Sequence, residues 1–319
     1  MPGTILITGG SGTLGTAIAP MLVEEGWRVR RADVRRPDDD VGEFVATDLR
    51  RPDEVRRAVD GADAVIHAAA WHGIHLRDHP PRDFWELNVD GTYNVLEAAA
   101  DAGAGRLVLS STMGVYGDSS RPDDDGPAVR VHEALPLRPG DIYGHSKVIA
   151  ERLVAFFERA RGIRAVALRY GMFVPEPFGH YGVRMIYGGV DARDVAAANV
   201  AALGQLAKPG RFTAYNIFSS LPFDDEDLAL MRDDPMAAIK RHWADADELL
   251  RRVDARPWGP INAVYDISKA ERELGWRPRF GFATFLEALR RGITTERDVP
   301  PAADDAARDP AREAAAARA

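Results

Sequence analysis

The feature that most restricts the fold of this chain is a glycine-rich run near its N-terminus. Residues 8–15 read T-G-G-S-G-T-L-G; a β-branched run, residues 4–8, leads into them, and apolar residues at helical spacing, residues 14–25, follow. Glycines at such a strand–helix turn let backbone N–H groups reach a pyrophosphate at the positive end of the helix. A dinucleotide-binding turn is therefore predicted, and a simple tight turn is the alternative. The residues expected to contact the dinucleotide are Gly9, Gly12, Thr13, Leu14 and Gly15.

Strand-like and helical segments alternate through the first half of the chain. The strand-like segments after the first are residues 28–34, 64–67, 106–110 and 165–170, and the helical ones between them are residues 53–59, 84–102 and 144–161. This alternation predicts an α/β fold with a doubly wound parallel sheet of the Rossmann type.

The domain organisation follows from the same pattern. Residues 1–170 are expected to form the dinucleotide-binding domain, and the chain returns to it at about 190–218. Most of residues 171–297 is expected in a smaller C-terminal substrate-binding lobe. Residues 298–319 consist mainly of Ala, Arg, Asp and Pro and are predicted to form a disordered tail.

Composition narrows the classes of partner. The 319 residues carry a formal net charge of −8 and include no cysteine. An acidic chain lacks the general attraction that nucleic acid or an anionic membrane needs. The absence of cysteine excludes disulfides and thiolate metal sites, and no apolar run approaches the roughly 20 residues of a membrane span. We expect a soluble, cytoplasmic protein that binds neither nucleic acid nor membrane.

Two carboxylates follow the glycine-rich run at positions suited to an adenosine. Asp33 ends the second strand, where it could accept hydrogen bonds from both ribose hydroxyls and repel a 2′-phosphate, which favours NAD over NADP. Arg35 and Arg36 come soon after and could contact a phosphate. Asp48, followed by Leu49, could reach the adenine amino group or cap the next helix, and the sequence does not separate these roles.

A second chemical pattern is the pair Tyr143 and Lys147. Residues four apart share one face of a helix, so the ammonium group can approach both the phenol and the cofactor ribose. A free tyrosine titrates near pH 10, and a nearby positive charge favours its phenolate form. Thr112 ends the preceding strand at the carboxyl edge of the sheet, where its hydroxyl could hold the same substrate oxygen. Thr112, Tyr143 and Lys147 are the predicted catalytic residues.

Together these segments resemble the NAD-dependent epimerase/dehydratase family of extended short-chain dehydrogenases. The other matching segments are residues 67–70 (H-A-A-A), 88–92 (N-V-D-G-T), 110–117 (S-S-T-M-G-V-Y-G), 190–195, 268–270 (S-K-A) and 274–278 (L-G-W-R-P). The resemblance implies NAD as cofactor, with Tyr143 as base/acid and Lys147 as ribose anchor. It implies further that Asn88 supports the lysine and that Ala68 lies along the cofactor. A sugar or nucleotide-sugar substrate and a homodimer are expected on the same ground.

Departures from the family pattern bear on the reaction. Met113 and Gly114 follow Thr112 where dehydratases of the family carry Asp-Glu, so dehydration is disfavoured. Met172 stands where nucleotide-sugar members commonly carry an Asn. The stretch 171–177, followed by Arg184, resembles uronate dehydrogenases, in which that arginine position binds the substrate carboxylate, although residues 112–113 differ from that group's Asn-His. Arg184 is therefore either an anion contact or a solvated loop arginine.

The loop after the third strand completes the predicted site. Trp71 and His72 are expected to contact substrate, as are Thr112, Met172 and Arg184. Four histidines fall between residues 67 and 79, but no carboxylate spacing supports a metal site, and none is predicted. The expected function is NAD-dependent oxidation of a sugar or sugar-acid hydroxyl. The alternatives are a nucleotide-sugar 4-epimerase and a non-catalytic NAD-binding regulator on the same fold.

Overall fold

The computed structural model describes residues 3–124, 126–207 and 211–303. Nine strands are present in these residues: β1 (Thr4–Thr8), β2 (Arg28–Asp33), β3 (Glu43–Ala46), β4 (Ala64–His67), β5 (Arg106–Thr112), β6 (Val129–Val131), β7 (Arg164–Tyr170), β8 (Thr213–Ile217) and β9 (Ala263–Tyr265). Seven of them form one parallel sheet in the order β3-β2-β1-β4-β5-β7-β8, and β6 pairs with β9 in a separate parallel pair. This order confirms the predicted doubly wound sheet.

The α-helices of the described residues are α1 (Thr13–Glu24), α2 (Pro52–Val59), α3 (Pro81–Phe84), α4 (Gly91–Ala102), α5 (Ile142–Arg161), α6 (Phe178–Arg184), α7 (Ala192–Gln205), α8 (Asp225–Leu230), α9 (Pro235–His242), α10 (Ala246–Arg251), α11 (Ser268–Leu274) and α12 (Phe282–Arg290). A π-helical stretch, Trp85–Asp90, joins α3 to α4. Within these ranges, none of the helices combines the length and apolarity that crossing a bilayer requires.

Both faces of the main sheet are apolar because successive side chains of each strand point to opposite sides. In β1, Ile5 and Ile7 pack with α1 and α7 on one side, whereas Leu6 packs with α2, α4 and α5 on the other. Every β1 residue is buried, as expected of a parallel strand covered by helices on both faces. The sheet is therefore a rigid platform whose carboxyl edge presents the functional residues.

A second apolar core lies beyond β7. Phe282 and Phe285 of α12 pack there with Val183 of α6 and Leu249 of α10. Residues 221–256 contain three short helices, α8, α9 and α10. Asp224 and Asp234 each cap a new helix by accepting a backbone N–H three residues further on, which interrupts the stretch.

The first residues of the predicted tail pack against the body of the protein. Val299 is buried. The Arg193 guanidinium donates to the carbonyl oxygens of Glu296, Arg297 and Val299 at 3.3 to 3.4 Å. The structure thus differs from the prediction at Val299, because the Arg193 guanidinium, a partner distant in sequence, binds its carbonyl oxygen. Residues 304–319 of the predicted tail lie outside the described residues.

Candidate active site

The glycine-rich turn has the shape that a pyrophosphate requires. Gly9 has a φ of +68°, and a Cβ there would lie 2.7 Å from the amide nitrogen of Ala69. A Cβ on Gly15 would lie 2.6 Å from the carbonyl oxygen of Gly9. Helix α1 follows from Gly12, and in the described residues no side chain caps it and its first turn holds no acid. Its first N–H groups, starting at Thr13, are therefore available to an anion, which fits a bound dinucleotide.

A buried arginine in β2 stabilises this turn through hydrogen bonds. Arg31 in β2 is fully buried; its Nε donates to the carbonyl oxygen of Gly10 at 2.7 Å and its Nη2 to the Thr16 hydroxyl at 3.1 Å. Asp39 pairs with the same guanidinium. Sequence reasoning missed this residue because an arginine within a strand gives no sign of which loop it contacts.

The two predicted adenosine carboxylates differ in their surroundings. Asp33 lies beside the turn, where one carboxylate oxygen accepts the Ser11 N–H at 3.0 Å and the other accepts the Arg35 N–H at 3.1 Å. Each oxygen keeps a further lone pair for a ribose hydroxyl. The Asp48 carboxylate instead forms an ion pair with Arg50, whose hydrogen bonds and charge lower the pKa of Asp48. It does not cap α2, whose N-cap position is Arg51.

Ala68 and Leu49 form apolar parts of the same region. Ala68 follows directly on β4 and is buried, and its backbone lies against Gly9. Leu49 is buried too, and its carbonyl oxygen accepts a hydrogen bond from Asn94 at 2.8 Å. Both residues therefore lie at the carboxyl edge of the sheet, on the side of the glycine-rich turn.

The structure brings the three predicted catalytic residues together. The Asp141 carboxylate caps α5 by accepting the Gly144 N–H at 2.7 Å. A Cβ on Gly144 would lie 2.7 Å from the carbonyl oxygen of Gly114, so glycine lets α5 approach the turn after β5 closely. This approach places Tyr143 within hydrogen-bond reach of the Thr112 hydroxyl. The Thr112 oxygen also accepts the Gly114 N–H at 3.1 Å, which leaves its own hydrogen to donate.

Burial dominates the electrostatics of this trio. It raises the pKa of Tyr143 to about 12; the hydrogen bond to Thr112 opposes the rise and the Asp141 carboxylate adds to it. Burial lowers the pKa of Lys147 to about 8, against the attraction of Glu151. From the sequence, the lysine charge and the positive nicotinamide of NAD are together expected to favour the phenolate. In the protein alone the net direction is opposite, because removal of water from the phenol is the larger effect.

Asn88 connects the loop after β4 to α5. Its Nδ2 donates to the Ser146 hydroxyl at 2.9 Å, and its Oδ1 accepts the Trp71 N–H at 2.8 Å. The Ser146 hydroxyl in turn donates to the carbonyl oxygen of Tyr143 at 2.7 Å. Asn88 lies in the π-helical stretch between α3 and α4, which prediction had treated as ordinary helix. Such local irregularity is frequent at functional sites.

The histidines near β4 have different environments. His67 is fully buried between the hydroxyls of Thr8 and Thr92, at 2.7 and 2.8 Å, and burial lowers its pKa to about 3. His72 lies with its ring centroid 6.0 Å from that of Tyr143. The surrounding protein and then the Lys147 charge lower the pKa of His72, although part of its surface is exposed to solvent.

The remaining predicted substrate contacts have different surroundings. Trp71 stacks on His79 with centroids 3.9 Å apart. Met172, which follows β7, is 38% exposed and forms a backbone bridge with Gly189. Arg184 is not a solvated loop arginine: at the end of α6 it forms a two-point ion pair with Glu176.

Behind the catalytic residues lies a buried ion pair that sequence reasoning missed. Arg169 in β7 donates to both carboxylate oxygens of Glu151 in α5, at 3.0 and 2.8 Å. The Ser111 hydroxyl donates to Glu151 at 2.6 Å, and Lys147 Nζ donates to the carbonyl oxygen of Ser110 at 2.9 Å. The pair thus joins the end of β5 to α5. One signal was available, since Glu151 stands four residues after Lys147.

The match to a family model decides the family. The model described as NAD dependent epimerase/dehydratase family matches residues 5–182, more than half of the chain. The chain belongs to this family. Its membership confirms the predicted resemblance and NAD as the predicted cofactor.

Several relatives are similar to this member of the family. A UDP-glucose 4-epimerase of Streptomyces lividans is 33% identical over 178 residues, which cover 53% of this chain and about half (52%) of that protein. A UDP-glucose 4-epimerase of Streptococcus mutans is 27% identical over 86% of this chain and 92% of its own length. A uronate dehydrogenase of Pseudomonas syringae is 30% identical over 54% of this chain and 60% of its own.

Solved structures share the fold. A short-chain dehydrogenase/reductase superfamily protein from Agrobacterium tumefaciens with bound NAD is 22% identical, with a TM-score of 0.69 over 91% of this chain and 97% of that one. A mutated uronate dehydrogenase is 23% identical, with a TM-score of 0.66 over 92% and 87%.

Proposed function

We propose that this protein is an NAD-dependent dehydrogenase that oxidises one hydroxyl of a sugar or sugar acid. The observation that carries the proposal is the proximity of the Thr112 and Tyr143 side chains, with Lys147 one helical turn further along α5 and the glycine-rich turn on the same sheet edge. When bound, NAD supplies the hydride acceptor. Every other step falls to residues of this chain.

Thr112 and Tyr143 would hold and deprotonate the substrate hydroxyl. The Thr112 oxygen already accepts the Gly114 N–H, and its one hydrogen, which faces the Tyr143 oxygen in the protein alone, would turn to the substrate oxygen. The substrate proton moves to the phenolate oxygen of Tyr143 as the C–H bond breaks. With a pKa of about 12 in the protein alone, the phenol needs added positive charge nearby to ionise. The Lys147 ammonium and the positive cofactor ring supply that charge.

Lys147 and Asn88 are suited to positioning. Lys147 Nζ uses one hydrogen on the carbonyl oxygen of Ser110, which leaves two for the cofactor ribose. Asn88 keeps the loop carrying Trp71 against α5 through its bond to Ser146. Asp33 beside the turn favours NAD over NADP, because its carboxylate would repel a 2′-phosphate. We further propose a cytoplasmic homodimer formed through α4 and α5, where Tyr93 and Phe156 are exposed.

A nucleotide-sugar 4-epimerase is the second candidate, favoured by the full-length similarity to the Streptococcus mutans enzyme. A non-catalytic NAD-binding regulator is the third. Free aldoses, uronates and nucleotide sugars incubated with NAD separate these functions. Accumulating NADH indicates the dehydrogenase, and conversion of one isomer to another without NADH indicates the epimerase.

Tyr143→Phe tests the site itself. We expect the variant to bind NAD like the wild type and to lose turnover, because only the proton-accepting oxygen is removed. Turnover by this variant would contradict the assigned role. NAD binding by the wild type without turnover of any substrate would favour the regulator.

A further inference from the structure

We propose that the substrate cleft selects a neutral sugar, with Glu176 as the specificity-determining residue that withholds Arg184 from substrate anions. This inference rests on the proposed dehydrogenase function and names its substrate class. It departs from the expectation that Arg184 binds a substrate carboxylate.

Arg184 belongs to the wall of the catalytic cleft. Thr112 at the end of β5 lies in register with Tyr170 at the end of β7, and Met172 follows two residues later. Met172 is bridged to Gly189, with backbone hydrogen bonds on either side at 3.0 and 3.1 Å. A Cβ on Gly189 would lie 2.6 Å from Cγ of Arg184. The aliphatic part of the Arg184 side chain is therefore separated by one backbone segment from the carboxyl ends of β5 and β7.

A second contact ties this wall to the catalytic threonine. A Cβ on Gly188 would lie 3.1 Å from the terminal methyl of Met113, the residue directly after Thr112. Residues 188–189 therefore run between Met113 and Arg184. A substrate whose hydroxyl reaches Thr112 would have the rest of its ring near this segment.

The positive charge of Arg184 is already matched. Its Nε donates to one oxygen of Glu176 at 3.1 Å, and its Nη2 donates to the other. The side chains are only 23% and 14% exposed, so water screens the pair weakly. The guanidinium N–H groups that could bind a substrate carboxylate or diphosphate are already occupied by Glu176. The Glu176 carboxylate would in addition repel such an anion.

The neighbouring cations do not replace Arg184. The surrounding protein and the Lys147 charge lower the pKa of His72, which disfavours its cationic form. Lys147 is buried and bonded to the carbonyl oxygen of Ser110. Neither residue therefore provides a positive charge at this wall for an anionic group of the substrate.

Aromatic rings complete the wall. The Arg184 guanidinium lies 4.4 Å from the ring centroid of Trp258, and Tyr187 stacks on the same ring at 5.1 Å. Trp258 is 43% exposed. Exposed aromatic faces bury the apolar C–H face of a ring without needing charge, and the polar edges of the ion pair can hydrogen-bond hydroxyls. This combination suits an uncharged sugar.

The experiment compares sugars that differ only in the acid group. Galactose and galacturonate, and glucose and glucuronate, are assayed with NAD by steady-state NADH formation. The enzymes are the wild type, Glu176→Gln and the matched control Asp101→Asn, which removes a carboxylate from an exposed ion pair with Arg161. Retention of NAD binding verifies that each variant is folded.

We expect the wild type to prefer neutral sugars in kcat/KM by about tenfold or more, the size of one lost or gained charge contact. Glu176→Gln frees Arg184, so the ratio of uronate to neutral-sugar kcat/KM should rise about tenfold relative to the wild type. Asp101→Asn should match the wild type in this ratio. A wild type that prefers uronates, or an unchanged preference in Glu176→Gln, would overturn the inference.

A second variant covers the case in which Glu176→Gln does not fold. Glu176→Met/Arg184→Met removes both charges, so it leaves no buried charge unpaired. The ratio of neutral-sugar to uronate kcat/KM should stay at the wild-type value. A rise of about tenfold in that ratio would mean that Arg184 binds the acid group, and would overturn the inference. Absence of turnover on every sugar, with NAD still bound, would instead refute the proposed dehydrogenase function.

Discussion

Replacing Arg169 by Met tests whether the buried ion pair holds the catalytic residues in place. The guanidinium and carboxylate of Arg169 and Glu151 are 6% and 5% exposed and share two hydrogen bonds. Removing one partner leaves the other charge buried without its counter-ion, which costs about 3–5 kcal/mol of unfolding free energy. Glu151→Leu alone should cost a similar amount, because Arg169 then remains buried.

The double variant Arg169→Met/Glu151→Leu gives the decisive comparison. It leaves neither Arg169 nor Glu151 as an unpaired charge. The Ser111 hydroxyl, the Tyr116 hydroxyl and the carbonyl oxygen of Glu133 each lose one partner, and together these losses cost about 1–3 kcal/mol, because Tyr116 still donates to Asn216. The double variant should therefore be more stable than either single variant, which requires a coupling energy of at least about 3 kcal/mol between the two positions.

Urea unfolding followed by circular dichroism and by tryptophan fluorescence measures these differences, provided that both signals give one transition with the same slope. The single variants should also lose kcat/KM, because Ser111 and Lys147 both border the pair. A cost below about 1 kcal/mol for Arg169→Met, or a double variant whose cost equals the sum of the singles, would refute the reasoning.

Two further predictions concern the cofactor and the base. Gly9→Ala should weaken NAD binding about tenfold or more in calorimetric titration, because a φ of +68° costs an alanine about 1–2 kcal/mol and its Cβ would press on Ala69. The control Gly204→Ala, where a Cβ meets open space, should bind NAD normally, and equal affinities in both variants would contradict the prediction. In the pH profile of kcat/KM, the apparent pKa of the rise should be higher by about one unit or more in Lys147→Met, because Tyr143 then ionises without the neighbouring ammonium. The control Arg152→Met, at an exposed position of the same helix, should leave this apparent pKa unchanged. An unchanged apparent pKa in Lys147→Met would exclude the lysine as the stabilising charge.

Local pattern alone predicted the parts of the fold that local interactions create. β1, the glycine-rich turn and α1 are contiguous in sequence, so period and turn chemistry suffice to place them. Tyr143 and Lys147 share a helix, so their spacing alone puts them on one face. The short strands β3, β6 and β9 escaped prediction because three or four residues carry too little period to recognise.

Contacts between distant segments account for what the sequence left open. The sequence was equally compatible with Arg184 as an anion contact and as a solvated residue. The structure shows it paired with Glu176, which the turn into α6 places against it. Asp48, predicted to reach adenine or cap a helix, was found chelated by Arg50, a choice that depends on how the loop folds.

By itself the sequence determined the doubly wound sheet and the glycine-rich turn, and it led to Thr112, Tyr143 and Lys147 as the proposed catalytic residues, because each of these inferences rests on a local pattern. Only the tertiary structure decided the charge states around them. The raised pKa of Tyr143, the Arg169–Glu151 pair and the neutralised Arg184 all depend on burial and on partners from other elements. Water exclusion and charge pairing arise when the elements pack, and no single segment carries that information.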